Sequence, residues 1–296
     1  MTSILSQLSD AARSVVSTAG PSVVRIAGGW RPASGVVVAD GTILTNAHNV
    51  RGADVLVTYT DGRTAVGTMA GTDIDGDLAV IHADTTGITP VIWAPDEAAT
   101  VGDVVFALAA TLDGCRLTVG FVSGVARTFR GPRGRRIGGS LEHTAPMAPG
   151  SSGSALLDAD GRLMGLNTNR IDGGFYLAIP ADGALRTRVT ALGRGESRER
   201  PHLGVGLAPA GVARRMRRAV GLPELDGALV RDVEAESPAE RAGITGGDLI
   251  VGSGVSVIRD ADDLSDALAA AIGGHIELTI VRGADQRRVT VDLTAD

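Results

Sequence analysis

The sequence predicts a mainly β chain, with two successive antiparallel barrels followed by a smaller α+β module. Six short runs rich in β-branched residues lie between residues 22 and 83, and five more between 103 and 180. Turn signals such as Ala39-Asp40-Gly41, Asp61-Gly62 and Asp158-Ala159-Asp160-Gly161 separate several of them, as in hairpins. Beyond residue 201 strand-like and helix-like segments alternate instead. The 41 glycines among 296 residues suit a chain with many turns.

Each element follows from its own pattern. Ile4, Leu5, Leu8, Ala12, Val15 and Val16 recur at helical spacing, so residues 1–20 are expected to form an amphipathic segment. It would dock on its own domain or on a neighbouring subunit. Residues 21–186 hold both barrel halves. Residues 187–201, polar and ending in Pro201, have the composition of a linker. In the module over 202–296, HLGVGL, GALVRDV and DLIVGSG are expected strands, with HIELTIVRG and RRVTVDL as a closing hairpin. AGVARRMRRAVG and DADDLSDALAAAI are expected helices, the second capped by Asp260 and with Ala261, Leu264, Ala267, Leu268, Ala271 and Ile272 on one face. Arg214, Arg215, Arg217 and Arg218 would form a solvated basic face on the first.

Composition excludes several classes. A net charge of -6 gives no reason to expect nucleic acid as a partner. Cys115 is the only cysteine, so neither an intrachain disulfide nor a cysteine metal site is available. No histidine or acidic pair has metal-ligand spacing, and no metal or other cofactor is expected. His82, inside an apolar run, is expected to be structural. No apolar stretch is long enough for a transmembrane helix. The first residues carry no secretory signal. The expected location is cytoplasmic, or extracytoplasmic if an upstream segment exists.

One constellation carries chemistry. Acyl transfer to a hydroxyl needs a serine, a histidine to take its proton, and a carboxylate to orient the histidine. It also needs backbone N–H donors aimed at the developing oxyanion. In Ala148-Pro149-Gly150-Ser151-Ser152-Gly153-Ser154, glycines flank Ser152 and permit a tight turn that exposes its hydroxyl. That turn can aim the amides of Gly150 and Ser152 into one small hole. His48 follows the strand-like Thr42–Leu44, and Asp77 precedes the apolar Leu78-Ala79-Val80-Ile81, where a buried carboxylate needs a partner. The histidine and aspartate fall in the first barrel half and the serine in the second.

With those residues in place the chain resembles the HtrA/Deg family of serine proteases over almost its whole length. The family's T-N-x-H-V block is similar to Thr45-Asn46-Ala47-His48-Asn49-Val50, and its D-[IL]-A-[VL] block to Asp77-Leu78-Ala79-Val80. Its N-P-G-N-S-G-G block is similar to residues 148–154, with Ser154 in place of the last glycine. Gly165-Leu166-Asn167-Thr168 and Ala178-Ile179-Pro180 match two further blocks. Leu203-Gly204-Val205 and the stretch from Ser237 to Ile250 resemble a bacterial PDZ domain.

The resemblance implies a chymotrypsin-like protease domain with one PDZ domain behind it. Ser152 would be nucleophile, His48 base and then acid, and Asp77 its orienting partner. The amides of Gly150, Ser151 and Ser152 would line the oxyanion hole. His202-Leu203-Gly204-Val205 would receive a peptide's C-terminal carboxylate, with Leu203, Val205, Leu264 and Leu268 around its last side chain. Arg127, Arg130, Arg133, Arg135 and Arg136 would belong to a sensor loop. Tyr176 is expected to narrow the pocket for the substrate residue before the cut, and the absence of a carboxylate in residues 145–148 favours small apolar residues there. The implied partners are unfolded or damaged protein substrates, C-terminal peptides and two further copies in a homotrimer. A catalytically silent polypeptide-binding chaperone or adaptor is the alternative.

Overall fold

The computed structural model describes residues 3–27, 32–96, 99–130, 136–171, 174–196, 202–209, 211–271 and 274–294. Two compact units divide the chain, Met1–Arg198 and Glu199–Asp296. In the first, strands β1 (Val23–Ala27), β2 (Ala33–Ala39), β3 (Thr42–Thr45), β4 (Asp54–Tyr59), β5 (Thr64–Asp73) and β6 (Leu78–His82) close a barrel in the order β1-β2-β3-β6-β5-β4. Strands β7 (Val104–Thr111), β8 (Gly114–Arg130), β9 (Arg136–His143), β10 (Ala155–Leu157), β11 (Leu163–Arg170) and β12 (Tyr176–Pro180) close a second, in the order β10-β11-β12-β9-β8-β7.

The near-continuous apolar runs have a reason: many of these strands are buried on both faces. Along β6, Ala79 and Ile81 point into the first barrel with Val24, Ile26, Val37, Ile43, Val55 and Val57. Leu78 and Val80 alternate to the other face and join a second cluster. That cluster also holds Val23, Val36 and Leu44 of the first barrel, with Phe106, Leu108, Leu157, Leu163 and Leu166 of the second. It is the seam between the barrels. The interior of the second barrel is separate, built from Val105, Ala107, Val122, Leu141, Leu156 and Ala178.

Three elements differ from expectation. Strand β9 lies in a Gly- and Arg-rich segment with no alternating apolar pattern, so only its pairing with β8 and β12 makes it a strand. Of the expected sensor segment 127–136, residues 131–135 lie outside the described residues. Helix α1 (Ile4–Ala19), capped by Ser3, docks only through its C-terminal half: Val15 and Ala19 are buried, while Ile4, Leu5 and Leu8 are exposed. Helix α2 (Gly183–Gly193) runs into the expected linker 187–201 as far as Gly193. Leu185, Val189 and Leu192 lie on its inner face and extend the seam cluster. Their spacing, i, i+4 and i+7, was present among the polar residues but was outweighed by them. His82 holds the end of this helix, its Nε2 donating to the Gly193 carbonyl (2.8 Å), a structural role.

The second unit is a sheet in the order β13-β14-β15-β17-β18, formed by β13 (Val205–Leu207), β14 (Ala228–Val233), β15 (Leu249–Ser253), β17 (His275–Arg282) and β18 (Asp285–Asp292), with the short β16 (Ser256–Val257) on β15. Helices α3 (Val212–Ala219), α4 (Pro238–Arg241) and α5 (Ala261–Ala269) connect them. Asp260 caps α5 by accepting the amides of Asp262 and Asp263; Ile272, expected on its apolar face, lies outside the described residues. The basic face of α3 is substantially paired: Arg214 with Asp226, Arg218 with Glu224, and Arg217 with the Pro223 and Gly283 carbonyls.

Asp248 is fully buried, and Arg282 grips both of its carboxylate oxygens (2.6 Å each), while the Thr245 amide donates to Oδ2. Burial alone would raise this carboxyl; the Arg282 hydrogen bonds, the Thr245 amide and nearby positive charge outweigh it and hold it below the usual range. Arg282→Ala is expected to destabilise the second unit by about 3 kcal/mol, because it leaves a buried carboxylate unpaired. Denaturant unfolding of the full chain, followed by hydrogen exchange in β17, measures this. The contribution is fully present above the unfolded carboxylate pKa of about 3.9 and is lost as pH falls through the lower folded value.

Candidate active site

The site lies at the mouth of the seam. Strand β3 ends at Thr45, and a short turn of 3-10 helix, Ala47–Asn49, brings His48 round to face β6. Asp77, immediately before β6, is 2% exposed and has φ of +54°, a left-handed conformation unfavourable for a residue with a side chain. His48 Nδ1 lies 2.8 and 2.9 Å from the two Asp77 oxygens. The carboxylate can only accept, so Nδ1 carries a proton, and in the neutral ring Nε2 is then the nitrogen with a lone pair. The His48 backbone amide also donates to Asp77 Oδ1 (3.2 Å), and Asn46 Nδ2 to the Asp77 carbonyl (3.1 Å).

The second barrel supplies the remainder. Thr168, on β11, donates its hydroxyl to Asp77 Oδ2 (2.7 Å). Its carbonyl accepts the Ser152 hydroxyl (2.8 Å). His48 and Asp77 are therefore in direct contact, and Ser152 joins them through Thr168, its hydroxyl resting on that carbonyl.

The loop around Ser152 is held from both barrels. Ser34 of β2 donates its amide to the Ser152 carbonyl (2.9 Å) and its hydroxyl to the Gly150 carbonyl (3.0 Å). Asn49 Nδ2 adds a second donor to the Ser152 carbonyl (3.0 Å). Gly153 has φ of +81°, and a Cβ there would sit 2.1 Å from the Ser34 carbonyl oxygen, so only glycine fits. The three amides expected to line an oxyanion hole are not equivalent. Ser151 N–H donates to the Ala148 carbonyl (3.1 Å) and is thereby occupied within the loop. Among the described residues, the amides of Gly150 and Ser152 have no such partner.

Behind the loop lies a buried network with no assigned role in the sequence. Asn167 Nδ2 donates to the Ser154 hydroxyl (2.9 Å) and the Ala155 carbonyl (3.2 Å), and the Asn167 backbone carbonyl accepts Gly153 N–H (2.7 Å). His143, fully buried, places Nε2 3.0 Å from Asn167 Oδ1, which makes Nε2 the protonated nitrogen. Its ring stacks on Tyr176 at 5.8 Å, and its buried Nδ1 has no hydrogen-bond partner among the described residues. Tyr176 is 7% exposed and pairs in register with Arg170, two residues beyond Thr168. Ser34, Asn49, Asn167 and Thr168 were not assigned roles from sequence, although Thr168 lies inside a recognised block. No local spacing ties residue 168 to residue 77.

In the second unit Leu203, Val205, Leu264 and Leu268 share one apolar cluster, with Leu203 and Leu264 nearly fully buried. Gly204 has φ of +77°, and a Cβ there would lie 2.1 Å from that of Ser237. Among the described residues β13 pairs only with β14, which leaves its other edge free. His202 pairs with Glu234 at the surface. No group of three His, Cys, Asp or Glu side chains among the described residues converges to hold a metal ion.

Comparison with known proteins agrees with this architecture. Residues 33–166 match the trypsin-like peptidase domain family and residues 229–282 the PDZ domain family. The chain is 35% identical to a putative serine protease HhoA of Synechocystis, over 90% of this chain and 71% of that protein. It is 31% identical to the serine endoprotease DegS of Escherichia coli K12, over 88% of this chain and 75% of that protein. To a probable periplasmic DegP-like serine endoprotease of Halomonas elongata it is 33% identical, spanning 55% of that protein's length. Among solved structures, a serine endoprotease from Yersinia pestis superposes with a TM-score of 0.69 at 26% identity, over 95% of this chain and 96% of that one. The HtrA-type protease AlgW bound to a decapeptide has the same fold, with a TM-score of 0.73. Two six-stranded barrels followed by a PDZ-type sheet define a two-module, trypsin-like class of chain. This chain belongs to the HtrA/Deg family of serine proteases.

Burial pushes the His143 imidazole down to about 4, only partly offset by its bond to Asn167. The folded value lies below the unfolded one of about 6.5, so the unfolded state takes up the proton first. Stability is therefore full above about pH 6.5 and falls by up to roughly 1.4 kcal/mol per pH unit as pH drops towards 4. Denaturant titrations of wild type and His143→Gln between pH 7 and 5 check this. The variant is expected to lose distinctly less stability over that interval.

Proposed function

We propose that the chain is a serine endopeptidase that cleaves unfolded or damaged polypeptides, with Ser152, His48 and Asp77 as its triad. The observation that carries this reading is the His48–Asp77 pair, joined through Thr168 to the Ser152 hydroxyl, on a loop whose Gly150 and Ser152 amides have no backbone partner among the described residues. Ser152 turns from the Thr168 carbonyl towards His48 Nε2, gives up its proton there, and attacks the scissile carbonyl. Asp77 stabilises the resulting imidazolium and keeps its tautomer. The Gly150 and Ser152 amides receive the oxyanion. His48 then protonates the leaving amine, and water repeats the sequence to release the acyl group.

A second reading has one observation in its favour. The Ser152 hydroxyl is donated to Thr168, and a loop that never released it would leave a polypeptide-binding chaperone or adaptor. Labelling with a fluorophosphonate probe separates the two. Wild type is expected to label and Ser152→Ala not to. The same variant should retain its fold and lose casein cleavage by roughly 10⁴-fold or more. Residual cleavage within about tenfold of wild type would exclude the triad. Cuts by the wild type should fall mostly after small apolar residues.

The PDZ module fits capture of peptide C-termini. A peptide strand would add to the free edge of β13, its carboxylate at His202-Leu203-Gly204-Val205 and its last side chain near Leu264 and Leu268. One peptide titrated in acid and amide forms is expected to bind at least tenfold more tightly as the acid. Equal affinity would remove carboxylate capture. Binding of the acid is expected to change the casein rate; a coupling of 1–3 kcal/mol would be typical.

A further inference from the structure

Outside the triad, one ion pair connects a distant helix to the acid. Asp77 has a left-handed φ of +54°, and the turn before it is tied by hydrogen bonds. Asp73, at the end of β5, accepts the amides of Asp75 (3.1 Å) and Gly76 (2.9 Å) through Oδ1. Its Oδ2 accepts Arg188 Nη1 at 3.0 Å. The Asp73 side chain is 7% exposed, so this carboxylate has little water to replace its partners. A Cβ on Gly76 would lie 2.5 Å from Arg188 Nη1 and 2.6 Å from Asp73 Oδ2. The guanidinium is thus packed against the residue that immediately precedes Asp77.

Arg188 belongs to α2, which follows β12 of the second barrel yet lies on β5 and β6 of the first. Its contact there is close: a Cβ on Gly71 would sit 2.5 Å from the Leu192 carbonyl oxygen. The helix is also the last element of the first unit before the chain continues into the second at Glu199. Among the described residues Asp77 is the charged partner of His48, and Arg188 that of Asp73.

We propose that Arg188, acting through Asp73, is a positioning residue for Asp77 and hence for His48. The seating of α2 on the first barrel then sets the geometry of the Asp77–His48 pair. Arg188 touches no reacting atom; it fixes the turn from which Asp77 is presented. This rests on the triad reading for its effect on rate, though not for its effect on the Asp77–His48 hydrogen bond.

The test uses the full chain with Arg188→Met, Arg188→Lys, Asp73→Asn and the Arg188→Met/Asp73→Asn double variant. The first readout is the proton resonance of His48 Nδ1–H, which reports the bond to Asp77 without catalysis. The second is casein or peptide cleavage against pH. Arg188→Met and Asp73→Asn are expected to shift the Nδ1–H resonance upfield or broaden it by exchange. They should lower kcat about tenfold or more with KM within about twofold, because orientation and not binding is lost. Arg188→Lys keeps the charge and is expected to recover much of the loss. The double variant should be no worse than either single variant, as for residues on one path. A folded Arg188→Met chain with an unchanged Nδ1–H resonance overturns the proposal. If the wild type neither labels with fluorophosphonate nor cleaves, the triad reading fails, while the resonance still decides the role of Arg188. Should Arg188→Met fail to fold, the same resonance in Arg188→Lys and Asp73→Asn decides it.

Discussion

The apolar seam between the barrels is the constraint on which the rest of the first unit depends. Val23, Val36, Leu44, Leu78 and Val80 meet Phe106, Leu108, Leu157, Leu163 and Leu166 there, all essentially without exposure. Each of those strands has already spent its other face on a barrel interior, so the two barrels cannot slide without exposing a complete row of side chains. The mouth of the seam is consequently a rigid place. Chemistry that needs a histidine from one barrel and a serine from the other is possible because their separation is set by this packing.

At that mouth, hydrogen bonds take over from packing. Asp77 accepts from His48 twice and from Thr168 once, and so bridges both barrels within a carboxylate's width. Such a group is costly to bury and becomes strongly ordering once each lone pair is used. The Ser152 carbonyl is a second such node, accepting from Ser34 and Asn49 of the first barrel. The loop that carries Ser152 is therefore held by the opposite barrel as well as by its own. The left-handed backbone of Asp77 and the buried Nδ1 of His143, without a partner among the described residues, both lie within this framework, where surrounding contacts over-determine local geometry.

The second unit achieves order with fewer resources. Among the described residues β13 is an edge of its sheet, paired on one side only, and the loop from Gly243 to Asp248 is fastened to β17 by Arg282. A sheet that leaves an edge strand unpaired beside a helix is suited to accept another strand. The residues named for that role from sequence, Leu203, Val205, Leu264 and Leu268, converge in one cluster although some sixty positions separate them.

Much of the architecture was legible along the chain. Uninterrupted runs such as Leu78-Ala79-Val80-Ile81 declare strands buried on both faces, and glycines beside Ser152 declare a tight turn, because both are local consequences of side-chain chemistry. The types of residue needed for acyl transfer were visible for the same reason. Strand β9 was not, since a Gly- and Arg-rich segment becomes a strand only when β8 and β12 supply its hydrogen-bond partners. The helix within the expected linker was obscured because Leu185, Val189 and Leu192 gain their burial from β5, β6 and the seam, far away in sequence. The Thr168 bond to Asp77, the Ser151 amide's bond to Ala148, and the Arg188–Asp73 pair beside the turn before Asp77 are likewise properties of position. Sequence alone determined most of the strands, the turns and the reactive groups of this protein. Only the tertiary structure decided which of those groups share hydrogen bonds, because contacts between residues about 90 to 115 positions apart are set by packing and leave no periodic trace in the chain.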